Sequence, residues 1–178
     1  MEKDDKYFVA EVLVGNINAF SGLIDKYQKQ IFRLTFKMVQ DYDDAKDLTQ
    51  NIFIKVYQNL SSYNPNYSFF SWTYRIAINE SINFLKQKKT YKKIDKRMVD
   101  KIGSPEDIFE KNEMTKNLEK AMQSMKPELC SILVLKYFQE LSYNEISEIK
   151  EWPIDKVKAK LFQARQALKK ILIQKGLI

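Results

Sequence analysis

LSYNEISEIKEWPIDKVKAKLFQARQALKK, residues 141–170, holds two apolar patterns at helical spacing, separated by a break at Glu151-Trp152-Pro153. Tyr143, Ile146 and Ile149 form the first pattern; Ile154, Val157, Leu161, Ala164 and Leu168 form the second. Ser142 is placed to cap the first helix, and Glu145, three residues on, completes a capping box. Pro153 suits the start of the second helix, where its missing N–H removes no hydrogen bond. Two helices joined by a turn of about four residues or fewer, the second one basic, make a helix-turn-helix of the kind that enters a major groove. An amphipathic helix pair with lysines on its wet face has the same pattern, so the rest of the chain must choose between them.

Composition narrows the choice. A chain of 178 residues with 44% hydrophobic and 13% aromatic residues can build one ordinary domain or two small ones. Four glycines and four prolines, among many Lys, Leu, Ile and Glu, predict mostly helix with short connections. No apolar run approaches the roughly 18 residues of a membrane span, and MEKDDKYFVAEV has no signal-peptide layout; a cytoplasmic protein with no membrane insertion is expected. Cys130 is the single cysteine and histidine is absent, which removes disulfides, cysteine-cluster zinc sites, Ser-His-Asp catalysis and His-ligated metals. Neither a Walker loop nor a GxGxxG fingerprint is present. The expectation is no enzyme, no cofactor and no metal.

The net charge of +7 is concentrated in two blocks. Residues 86–101 carry eight Lys/Arg against two Asp, and residues 153–178 carry seven against one. Two basic footprints suit a polyanion gripped at two places; two solvated faces would look the same in sequence.

Upstream, Phe8, Val9, Val12 and Leu13 mark a short helix that Gly15-Asn16 ends. Phe20, Leu23, Ile24, Tyr27, Ile31, Leu34 and Met38 mark a longer one of about five turns. Asp41 is a good N-cap for a third helix, with Asp43 and Asp44 favoured in its first turn by the macrodipole. That helix buries Ala45, Leu48, Ile52, Val56 and Leu60, and exposes Asp43, Asp44, Asp47, Gln50 and Asn51. The acidic cluster reads as a dipole-matched helix end or a protein-binding face rather than a metal site. Residues 61–68 break the helix. The next helix, from about residue 68 to 87, sets Phe69, Phe70, Trp72 and Tyr74 beside Arg75, Asn79, Asn83 and Lys86. Aromatics next to amide and basic groups form a stacking platform for unpaired bases, or simply a core. Residues 88–112 lack clean periodicity, start basic and contain Gly103-Ser104-Pro105, which predicts a flexible linker. The expected fold is all-α: two small helical domains, 1–87 and 113–178, on a basic tether of 88–112.

Three segments in this order, DDAKDLTQNIFIKVYQNL (43–60), FFSWTYRIAINESINFLKQ (69–87) and SYNEISEIKEWPIDKVKAKLFQARQAL (142–168), resemble the extracytoplasmic-function (ECF) sigma factors. These are the small, two-domain members of the bacterial sigma-70 family. The resemblance runs from about Phe20 to Leu172, and it implies a transcription initiation factor. Its partners would be core RNA polymerase (β′ clamp helices and β flap), promoter DNA (single-stranded at −10, duplex at −35) and an anti-sigma factor. Carried over, Asp44, Asp47, Leu48, Gln50, Asn51 and Phe53 belong to the clamp-binding helix. Asn64, Asn66 and Tyr67 fall in the segment that captures a flipped base, and Trp72, Arg75, Asn79 and Lys86 lie along the strand. Lys156, Lys158, Ala159, Lys160, Phe162, Gln163 and Arg165 match groove-facing positions, with lysines and Arg165 toward phosphates, Gln163 toward an adenine edge and Phe162 toward a thymine methyl.

The chain departs from the family pattern at six places. Ser147 replaces a usual Ala, Lys150 a large apolar residue and Glu151 a Gly. Ala159 and Gln163 stand where Ser and Arg are frequent, and Ile78 where an arginine is common. Two readings from other classes are a free-standing helix-turn-helix regulator, which would shift DNA without polymerase, and a helical adaptor that binds only protein.

Overall fold

The computed structural model describes residues 4–94 and 113–177, and all regular structure among them is helical. Helix α1 (Asp5–Leu13) ends at Gly15, whose φ of 102° turns the chain into α2 (Phe20–Val39). Helix α3 (Tyr42–Gln58) begins on Asp41, whose side chain accepts a 3.0 Å hydrogen bond from the Asp44 amide. This is the predicted cap, a feature that typically stabilises by ~1 kcal/mol.

A 3-10 turn at Leu60–Ser62 leads to α4 (Phe69–Ile94). Helices α2, α3 and α4 pack on one another through Leu23, Ile31, Leu34, Ile52, Val56, Tyr74, Ala77 and Ile78, all essentially without solvent exposure. Inside this bundle the hydroxyls of Thr35 and Thr49 meet at 3.0 Å, and Thr49 also donates to the Ala45 carbonyl at 2.7 Å. Every polar atom of that pair is thus paired where water is excluded.

The second half comprises α5 (Glu113–Gln123), α6 (Pro127–Leu133), a π-helical turn over Val134–Phe138, α7 (Tyr143–Lys150) and α8 (Ile154–Gln174). The capping box forms as predicted: Glu145 N–H donates to Ser142 Oγ at 3.2 Å, and Ser142 N–H donates to the Glu145 carboxylate at 2.8 Å. Ile132, Leu135, Ile146, Ile149, Val157 and Leu161 form its interior.

One expectation needs correction. Helix α4 does not stop near residue 87 but continues to Ile94. Its added turns are held from outside: Lys88 forms an ion pair with Asp44, and Lys89 Nζ donates to the Met125 carbonyl at 3.0 Å. The charge of Lys88 is thereby paired. Residues 95–112 of the expected linker lie outside the described residues. The two expected helical halves are both present, and they touch. Helix α4 packs against α6 and α7, α2 packs against the π-turn, and the buried apolar residues of both halves form one continuous cluster.

Candidate functional site

Helix α3 turns one face to the bundle and one to solvent. Asp43, Asp47, Gln50 and Asn51 are exposed, as their spacing predicts, and Asp44 is half-buried against Lys88. Leu48 and Phe53 are only 5% and 7% exposed and hold the helix in place. A residue the motif did not single out, Ile54, lies on the exposed side at 53%. Its place at 47, 51, 54 along the helix was legible from periodicity alone. The outward face is therefore acidic and amide-rich around two large apolar side chains, Ile54 and Tyr57, the composition of a protein-binding surface.

The loop before α4 is built on its own hydrogen bonds. Asn64 Oδ1 accepts from the Asn66 amide at 3.0 Å in an Asx turn, and the Tyr63 hydroxyl donates to the Tyr67 carbonyl at 2.7 Å. Buried Tyr63 and Phe69 support the half-buried Trp72, with ring centroids 5.3 and 5.7 Å from its own. Burial raises the pKa of Tyr63, with Asp5 and Asp4 adding to the effect, so the ring stays neutral. Tyr67 is 68% exposed.

Asn64, Tyr67, Trp72 and Arg75 line one cavity of about 530 Å3. Its opposite wall comes from the second half: Ser147, Glu148, Glu151 and Trp152. A neighbouring recess of about 320 Å3 holds Trp72 and Asn79 together with Lys55, Asn59 and Glu80. Asn66 and Lys86 line neither. Lys86 instead forms a 2.6 Å ion pair with Glu128 across the two halves, which lowers the pKa of that carboxyl.

Arg75 directs all three guanidinium nitrogens at the C-terminal end of α7. Nε donates to the Ile149 carbonyl at 3.2 Å and Nη2 to the Glu148 carbonyl at 2.9 Å, while Nη1 pairs with the Glu151 carboxylate. Helix C-terminal carbonyls carry the negative end of the macrodipole, so this is a charge-assisted cap supplied from another helix.

In α8, Val157, Leu161 and Ala164 face inward, which turns Lys158, Ala159, Phe162 and Gln163 outward as one ridge. Phe162 is 58% exposed, and no packing role accounts for it. Lys156 and Lys160 flank the ridge. Lys156 lies over the Trp152 ring at 4.8 Å, and Lys160 donates to Gln163 at 3.0 Å. Arg165 is on the other flank, donating to the Tyr137 hydroxyl of the π-turn at 3.2 Å. All seven sequence-identified residues of α8 reach the surface at least in part.

The unusual turn residues have local explanations. The Ser147 hydroxyl donates to the Trp152 carbonyl, and the Trp152 amide returns to the Ser147 carbonyl at 3.1 Å. Lys150 is largely buried and donates to Ser131 Oγ at 2.9 Å. Burial pulls its pKa down to about 8, against the opposing charge of Glu128. Burial also pushes the Cys130 thiol up to about 12, so this cysteine is a packing residue and a poor nucleophile. Among the described residues no group of His, Cys, Asp and Glu side chains is arranged to hold a metal, and no helix is long and apolar enough to cross a membrane.

Comparison with known proteins agrees with this layout. Residues 23–91 match the family model for Sigma-70 region 2, and residues 115–168 match that for Sigma-70, region 4. The ECF RNA polymerase sigma factor SigW of Bacillus subtilis is 30% identical over 97% of this chain and 98% of its own. In fold, the chain is similar to CnrH, solved in complex with the cytosolic domain of CnrY, with a TM-score of 0.69, 16% identity and coverage of 96% and 97%. It is also similar to the sigma factor RpoE of Bartonella quintana, solved with the anti-sigma factor NepR: TM-score 0.63, 16% identity, covering 86% and 96%.

Proposed function

The chain belongs to the ECF sigma factors of the sigma-70 family, and from that premise we propose how its surfaces divide the work of transcription initiation. Residues 1–87 form the unit that docks on core RNA polymerase and handles the −10 element. Residues 113–178 form the unit that reads the −35 element and meets the β flap, and residues 88–112 join the two. The exposed α3 face (Asp47, Gln50 and Asn51, with Asp44 and Ile54) meets basic residues of the β′ clamp helices. Asn64, Tyr67, Trp72 and Arg75 receive the non-template strand and a flipped base. The few kcal/mol lost in unstacking that base are offset by aromatic and polar contacts in the cavity. The outer ridge of α8 enters the −35 major groove: Lys158 meets phosphate, and Gln163 and Phe162 meet base edges.

The observation that carries this reading is the pair of exposed faces, acidic–amide on α3 and basic with a bare Phe162 on α8, each within its matching family segment. The protein acts by positioning polymerase, without catalysis or cofactor, in the cytoplasm where polymerase and promoters are. An anti-sigma factor restrains it, as one is bound to the similar RpoE. The test is transcription in vitro with purified core polymerase on a library of genomic fragments, with and without the chain. Chain-dependent transcripts starting downstream of a shared −35/−10 pair are the expected result. No such transcripts, together with no binding to core, would overturn the proposal.

A further inference from the structure

The cavity proposed to take the −10 strand is closed by the chain's own second half. Its contributors include both tryptophans of the protein, Trp72 from α4 and Trp152 from the turn between α7 and α8. Besides Arg75, Ser71 reaches across, its hydroxyl donating to the Glu148 carboxylate at 2.9 Å, and the Tyr74 hydroxyl donates to Gln139 at 3.1 Å. Two further ion pairs, Lys37–Glu119 at 3.2 Å and Lys86–Glu128 at 2.6 Å, also join the halves.

We propose that the turn at residues 148–152 is a latch: Glu148 and Glu151 occupy Arg75 and Ser71 in place of a nucleic-acid strand, so the free chain is self-inhibited at its −10 face. The inference rests on the reading of Arg75 and its neighbours as the strand-binding side. Three of the five N–H groups of Arg75, one on each guanidinium nitrogen, are engaged on α7 and Glu151, and its charge is paired there. What it meets there, carboxylate and carbonyl oxygens at the negative end of a helix, has the charge and acceptor chemistry of a phosphate backbone. Strand and turn therefore compete for the same side chains.

Glu151 is the residue specific to this device. It sits at φ 52°, a left-handed conformation that glycine adopts more easily, and its side chain reaches Arg75 from there. Glycine would close the turn with less strain but could make no such pair. The latch is also one-sided. Lys158, Phe162 and Gln163 on α8 stay exposed in the closed form, so only strand capture is blocked. Opening then falls to whatever separates the halves, and core polymerase, which fixes the spacing of both footprints, is the agent this reading supplies.

The test compares the full chain with E148A/E151G and with the shape-conserving E148Q/E151Q. Binding of a fluorescein-labelled single-stranded 12-mer of random sequence should tighten roughly tenfold in both variants, as expected for removing charge-assisted competitors. The radius of gyration from small-angle scattering should rise, and tryptophan emission should shift to the red as Trp72 and Trp152 meet water. Thermal melts identify any variant that fails to fold, and the glutamine pair then carries the test. Intact chain-dependent transcription with unchanged oligonucleotide affinity and unchanged radius would overturn the latch alone. No chain-dependent transcription from any form would overturn the sigma reading, and the latch with it.

Discussion

The ammonium of Lys150 on α7 donates a 2.9 Å hydrogen bond to the Ser131 hydroxyl on α6. The bond satisfies one proton of three, and Lys150 is otherwise desolvated beside Trp152, whose ring centroid is 5.4 Å away.

Stability should therefore depend on pH in a defined window. The pKa of Lys150 falls to about 8 in the folded chain from an ordinary 10.5, so the unfolded chain binds its proton more tightly. Below pH 8 the burial penalty acts in full; it declines as pH rises and is gone above 10.5. Replacing Lys150 by Met should raise stability at neutral pH by about 1–3 kcal/mol. The difference between parent and K150M, measured by urea unfolding, should shrink steadily from pH 8 upward. A constant difference would show that Lys150 is solvated in solution.

Gly22 makes a second prediction of a steric kind. A Cβ added there would lie 2.3 Å from the Phe8 ring, with two more ring atoms within 2.8 Å. The ring must shift, and α1 with it. G22A should cost about 1–3 kcal/mol, a few degrees in melting temperature for a chain of this size. Loss of the 2.6 Å hydrogen bond from Tyr27 to Asp5 is part of that cost. Limited proteolysis should cut ahead of α2 in the variant sooner than in the parent.

On α3, exposure separates contact from support. D47K and I54D should each weaken binding to core polymerase roughly tenfold while leaving the melting temperature unchanged. L48A should do the reverse, lowering stability by about 2–5 kcal/mol through a core cavity. Unaltered binding of D47K to core would move the polymerase interface off this face.

On α8, K158A and F162A should reduce −35-dependent initiation several-fold and spare binding to core, as single base or phosphate contacts do. K160A should act more weakly, because its ammonium is directed at Gln163 3.0 Å away rather than outward. Loss of core binding in any of the three would indicate unfolding of the second half.

Much of this was readable from local signals. Asp41, and Ser142 with Glu145, announced two helix starts through caps that act over three residues, and the same spacing rules separated inward Leu161 from outward Phe162. The motif at 43–60 marked the helix but not which of its residues show; Leu48 and Phe53 are buried because the bundle needs them. What escaped was everything dependent on contacts between distant segments. The turns of α4 beyond residue 87 rest on Asp44 and Met125, and the role of Glu151 rests on Arg75. Neither dependence leaves a periodicity.

Among the described residues, three helix junctions place non-glycine residues in left-handed backbone: Gln40, Glu140 and Glu151. At the last of these the conformational penalty, of order 1 kcal/mol, has a counterpart only while Arg75 is in reach. Separation of the halves removes the counterpart and leaves the penalty behind. The released second half should thus be frailer than the same half with glycine at 151, and an isolated fragment 113–178 should melt at a higher temperature as E151G than unaltered. An activated sigma factor of this build would carry its own clock: once open and away from polymerase, it is the form most exposed to unfolding and proteolysis.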